Sequence, residues 1–95
     1  MYKTLTVKER DWSLNLEDAY YVEHPEEILP ECLSGAAKTA PGCYVNIVTP
    51  GECGDPHQWL IPQLIAKLGE AGISFKEIRY IDQCGCGGHV IRVFR

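Results

Sequence analysis

Cys43-Tyr44-Val45-Asn46-Ile47-Val48-Thr49 leads into Pro50-Gly51-Glu52-Cys53-Gly54-Asp55, and an amphipathic run then continues to Gly72. The first seven residues are β-branched and aromatic and stop at Pro50-Gly51, as a strand does. Leu60, Ile61, Leu64, Ile65 and Leu68 recur at helical spacing, and Gly72 closes the run. Asp55 suits a helix cap, Pro56 the first turn, and Gln58 the return contact of a capping box. Pro62 has no N–H for a helix interior, so the helix either kinks there or becomes regular near Ile61. Ile73 to Asp82 has strand character. The stretch therefore predicts a βαβ unit: strand 43–49, helix 56–71, strand 74–82.

Working outward, Trp12-Ser13-Leu14-Asn15-Leu16 alternates apolar and polar residues, the mark of a strand with one buried face. Leu5 and Val7 suggest an earlier strand, paired with it through Lys8–Asp11. His24-Pro25-Glu26-Glu27 opens a helix, with proline early and acids complementing the dipole. Its stripe is Ile28, Leu29, Cys32, Leu33, Ala36 and Ala37, and Pro41-Gly42 stops it. His89 to Arg95 is a last strand, joined to the preceding one as an antiparallel hairpin across a glycine-rich turn. The order β(β)αβαββ predicts an α+β fold: a two-layer sandwich in which two helices cover one face of a mixed four- to five-stranded sheet. A single domain over 1–95 is expected, with a Cys/Gly-rich C-terminal hairpin loop at 83–89. A thioredoxin-like arrangement shares this order but sets its third strand antiparallel to its neighbours. The Cys-x-x-Cys expected after its first strand is absent here.

The chemistry-bearing residues gather around that topology. If strands 43–49 and 74–82 are parallel, their C-terminal ends share one edge of the sheet. Cys53 then approaches Cys84 and Cys86, with His57 and His89 nearby, at the edge where α/β sheets hold ligands. The local patterns are Cys53-x3-His57 and Cys84-x-Cys86-x2-His89. Five soft or borderline donors could supply a tetrahedral zinc site, although Cys-x-Cys is less diagnostic than Cys-x-x-Cys. Cys53, just before a predicted helix N-terminus, is expected to have a lowered thiol pKa. Cys84 and Cys86 could close a small, readily reduced disulfide ring, a redox reading. Gly85, Gly87 and Gly88 exceed what a hairpin turn needs and would let another molecule reach the thiols and backbone.

Each feature has a plainer explanation. Small thiols and glycines also fill tight corners. Cys32 lies on a helix stripe and Cys43 opens a strand at the opposite edge, both as packing. His24 is a helix-start residue, His57 can face solvent, and His89 shares strand parity with Ile91 and Val93. Arg79, Arg92 and Arg95, with Lys76, form a small basic patch that suits an anionic partner but is too small for nucleic acid. The Gly51–Asp55 loop lacks the signatures of phosphate-binding loops. No catalytic serine, histidine and aspartate set or carboxylate pair stands out.

The five cysteines, an odd number, and the absence of a signal-peptide-like N-terminus point to free thiols, metal ligation or redox chemistry in the cytoplasm. The net charge of −4 argues against non-specific nucleic-acid binding. Residues 1–40 carry eight acids against four bases, and the remainder five of each. No apolar stretch is long enough to span a membrane.

Cys84-Gly85-Cys86-Gly87-Gly88, continuing as His89-Val90, resembles the motif of the CGCGG family. The likeness rests on this C-terminal motif and on chain size. It implies a ribosomally made (RiPP) protein modified by a partner radical-SAM enzyme with a SPASM-type accessory domain. Cys84 and Cys86 would then be the modification positions, with Gly85, Gly87 and Gly88 beside them. Because most of the chain has the pattern of a folded domain, a folded, non-catalytic substrate or carrier fits better than a released peptide. The alternatives are a zinc or other soft-metal protein using Cys53, Cys84, Cys86 and a histidine, or a small thiol redox protein. No cofactor is required by the first reading.

Overall fold

The computed structural model describes residues 8–83 and 87–95. Its elements in chain order are β1 (Trp12–Asn15), α1 (Ala19–Glu23), a 3-10 turn (Pro25–Glu27), α2 (Ile28–Ala37), β2 (Tyr44–Thr49), a second 3-10 turn (Gly51–Cys53), α3 (Leu60–Glu70), β3 (Glu77–Gln83) and β4 (His89–Phe94). The four strands form one mixed sheet in the order β1-β2-β4-β3. β1 and β2 are parallel, while β4 runs antiparallel to both β2 and β3. The α+β sandwich with two main helices is therefore the observed fold, and the final two strands form the expected antiparallel hairpin.

Strand alternation sets the two faces. Val45, Ile47, Ile91 and Val93 point to the covered face and are fully buried against Ile28, Cys32 and Ala36 of α2 and Leu60, Leu64 and Leu68 of α3. Each of these leucines removes a whole side chain from water, worth about 2 kcal/mol. Helix α2 crosses β1 so closely that a Cβ on Gly35 would lie 2.9 Å from Leu14 Cδ2. Thr39 is buried but satisfied, since its Oγ1 accepts from Trp12 Nε1 at 2.8 Å and donates to the Gly35 carbonyl at 2.8 Å.

The two helix-borne prolines explain where the helices begin. Pro30 and Pro62 each occupy the third position of their helix, where an N–H would have no intrahelical acceptor. For Pro62 this means that α3 starts at Leu60, close to the regular start expected near Ile61. Residues 56–59 form turns instead of the expected first helical turn. The end of α3 is a Schellman motif: Ile73 N–H bonds the Leu68 carbonyl at 2.9 Å and Gly72 N–H that of Gly69 at 3.2 Å, with Gly72 at φ +72°. That closure directs Ile73 and Phe75 onto the core as coil, so β3 begins only at Glu77.

Two further departures concern the first half. Helix α1 was not expected from the sequence, and Asp18 caps it by accepting from Tyr20 N–H at 2.9 Å. The helix expected from His24 begins as the 3-10 turn and becomes α-helical at Ile28. The proposed strand at Leu5 and Val7 lies outside the described residues, and Lys8 bridges to Thr39 in parallel. Among the described residues, no helix is long and apolar enough to cross a membrane.

Candidate functional site at the hairpin edge

The strand that opposes its neighbours is β4, not β3, so β2 and β3 point the same way although β4 lies between them. One row across the sheet pairs Thr49 with His89 and His89 with Gln83. The C-terminal ends of β2 and β3 and the start of β4 thus share an edge. The expected common edge of the two strand ends is present, whereas the expected approach of Cys53 to Cys84 and Cys86 falls on residues outside those described.

Glycine makes the contact. Gly51, directly after Pro50, packs so closely on the hairpin that a Cβ there would overlap the Gly87 carbonyl oxygen and lie 3.0 Å from the Gly87 carbonyl carbon. Gly87 has φ +95°, a conformation that side chains rarely allow, and Gly88 is buried. Cys84, Gly85 and Cys86 lie outside the described residues. Gln83 and Gly87, which bracket them, stand at this edge.

Side chains add a second layer beside the glycines. Tyr80 of β3 shares the covered face with Ile91, its partner across the ladder. Its hydroxyl lies 2.8 Å from His89 Nδ1, and its ring lies 4.8 Å from that of His57. Asp55 Oδ1 accepts from the His57 N–H at 2.9 Å and lies 2.9 Å from His57 Nδ1. These two bonds, the backbone one first, hold the Asp55 carboxyl below its ordinary value. Loss of water, followed by the charges of Asp55 and Asp82, pushes the Tyr80 phenol up. The two histidines are therefore gathered at the edge through Tyr80, a residue that the sequence analysis passed over. Its parity with Ile78 on a half-buried strand was the available signal.

Cys53 is oriented differently from expectation. Its thiol lies 3.8 Å from the Tyr21 carbonyl, and the residue packs against the core. Burial, followed by the nearby Glu52 charge, raises its pKa. The expected lowering fails because α3 begins seven residues later and the thiol faces α1 instead of a helix N-terminus. Cys32 is buried and pushed up to about 12. Cys32, Cys43 and Cys53 are free thiols.

For a soft metal, Cys53, His57 and His89 do not form a compact set. Among the described residues, the group with ligand atoms within 4.8 Å of one another is His24, Glu26 and Glu27, on the exposed turn before α2. A cleft of about 300 Å³ runs between α1 and the 50–52 loop, lined by Ala19, Val22 and Pro50 and by acids that include Asp18, Glu23 and Glu52.

A family model described as "Putative radical SAM target protein" matches residues 3–95. The chain belongs to this family. As a radical SAM target protein it is acted on by a radical SAM enzyme, and the match takes in the sheet, both main helices and the hairpin. Neither the curated proteins nor the solved structures include a match.

Proposed function

We propose that this radical SAM target protein is a folded, non-catalytic substrate or carrier whose Cys84–His89 hairpin receives the modification. The observation that carries the reading is the Gly51–Gly87 contact: backbone packs on backbone where the glycine-rich segment returns to the sheet. Glycine on both sides of this contact keeps it free of Cβ atoms, and β3 and β4 run up to either side of the hairpin. Cys84 and Cys86 are the modification positions in this reading, with Gly85, Gly87 and Gly88 giving access to the main chain. The partner is a radical SAM enzyme with a SPASM-type accessory domain, by the likeness of the CGCGG motif. A cytoplasmic setting suits the free thiols at Cys32, Cys43 and Cys53.

Co-expression with its radical SAM enzyme, followed by intact mass measurement of the denatured, reduced protein, tests this. The expected result is a covalent mass change that persists under both treatments and disappears in a Cys84→Ser, Cys86→Ser double variant. An unchanged mass, or a change retained in that variant, would overturn it. Loss of a metal on denaturation would instead support zinc or another soft metal bound by Cys53, Cys84, Cys86 and His57 or His89. A two-dalton change reversed by reductant would support thiol redox chemistry.

A further inference from the structure

The helices cover one face of the sheet. Across the middle of the other face, residue partners run Ser13, Asn46, Arg92, Arg79 from edge to edge. Arg92 and Arg79 are thus directly opposite on neighbouring strands, a like-charge pairing that ordinarily destabilises a ladder. Arg79 is balanced, since its guanidinium lies 2.9 Å from Glu77 Oε1. Arg92 is not: among the described residues no carboxylate pairs with it. Asp82, further along the strand pair, accepts from the Gln83 N–H at 2.7 Å.

The Arg92 side chain is nonetheless held in place. Its Nε donates to Asn46 Oδ1 at 2.7 Å, and Asn46 Nδ2 in turn donates to Ser13 Oγ at 3.3 Å. The guanidinium carbon sits 4.1 Å from the Tyr44 ring centroid and 5.8 Å from that of Phe94. An aromatic pair with ring centroids 5.6 Å apart therefore supports a fixed cation on a face that no described helix covers. The sequence patch divides at this point. Arg95 turns to the covered side, where its guanidinium bonds the Ala36, Thr39 and Ser74 carbonyls, so that of the three arginines Arg92 is the one left on the other face without a carboxylate among the described residues.

We infer that this face is the docking surface for an acidic segment of the modifying radical SAM enzyme, with a partner carboxylate forked onto Arg92. The inference rests on the hairpin reading for the partner's identity, since β3 and β4 carry both the arginine row and the hairpin. Charge complementarity selects the chemistry. A planar guanidinium with one N–H already committed to Asn46 presents its remaining donors to a carboxylate, and that contact also relieves the repulsion from Arg79. Arginine and tyrosine on a preordered surface are the types that dominate protein interfaces. Nucleic acid is disfavoured by the net charge of −4 and by the seating of Arg92 on Tyr44, the ring a base would stack on.

The test is binding of the full-length protein to the purified enzyme, measured separately from modification. Arg92→Gln should weaken binding by roughly tenfold, and Arg92→Lys by several-fold because the charge remains but the fork and stacking are lost. Soluble poly-glutamate should compete for the wild type. Thermal unfolding of both variants should stay close to wild type, which separates docking from folding. Equal affinity of Arg92→Gln and wild type would overturn the inference. So would Arg92-dependent self-association, which would place a second copy on this face. If docking is wrong, the mass change still falls on the hairpin with unaltered affinity in Arg92→Gln. If the hairpin reading is wrong, affinity falls as stated and the mass change lies elsewhere.

Discussion

The two ends of the sheet are closed by opposite means. At the Tyr44–Phe94 end, side chains do the closing. Arg95 donates from one guanidinium nitrogen to the Ala36 and Thr39 carbonyls at 3.0 and 2.9 Å, capping the end of α2, where a cation also complements the helix dipole. Trp12, Thr39 and Gly35 complete that corner. At the Thr49–His89 end, glycine faces glycine, and the Cys53 thiol makes a weak 3.8 Å contact with the Tyr21 carbonyl. Trp59 Nε1, buried just before α3, has no hydrogen-bond partner among the described residues. The first end is scaffold, held by these side-chain bonds. The second sets a close approach of backbone to backbone beside the Tyr80–His89 and Asp55–His57 bonds, and the glycines that this approach needs are costly to stability and therefore point to function.

The largest effect that sharpens this contrast is expected from Gly51→Ala. A Cβ against the Gly87 carbonyl forces backbone apart, at a cost of about 3 kcal/mol. For a chain of this size, thermal unfolding should fall by more than 10 °C. Gly42→Ala is the control: unlike Gly51 it has a positive φ, +91°, but a Cβ there meets nothing within 4 Å, so it should cost only about 1 kcal/mol. If the two variants melt together, the contact between loop and hairpin is not tight. At the opposite end, Arg95→Ala should cost about 2 kcal/mol in chemical denaturation, because it strips a charged donor from part-buried carbonyls.

Smaller effects concern titratable groups. Cys53, with its raised pKa and inward thiol, should alkylate at pH 8 roughly tenfold more slowly in the folded protein than in denaturant. Comparable rates would show that the thiol swings out towards the hairpin. Asp55 has a lowered carboxyl pKa, so its contribution to stability is present above the ordinary value of 3.8 and is lost as pH falls below it. Melting curves from pH 5 to pH 3 should therefore show a modest loss that Asp55→Ala removes.

Much of the scaffold was legible because periodicity is a local property. The stripe from Leu60 to Leu68, the alternation in 12–16 and the β-branched run at 44–49 each specify an element and a buried face. Helix α1 escaped notice because five residues are too few to display a stripe, and only Asp18 marks it. The insertion of β4 between β2 and β3 is a long-range pairing that no local pattern records. The common edge of the β2 and β3 ends was nevertheless foreseeable, since it depends on strand direction and not on adjacency. The orientation of Cys53 differs from the expected one because turns at 56–59 separate Pro56 from the start of α3 at Leu60. Gly51 was read as a strand stop, although its proximity to Gly87 is the tightest feature of the edge. Tyr80 was missed because a tyrosine on a half-buried strand looks the same whether it packs or bonds.

The most direct test of the account is fragment-level mass spectrometry of the protein matured in the presence of its radical SAM enzyme. All of the altered mass should reside between residues 84 and 89, with peptides containing Cys32, Cys43 and Cys53 unmodified. An alteration on any of those three cysteines, with residues 84–89 intact, would contradict it.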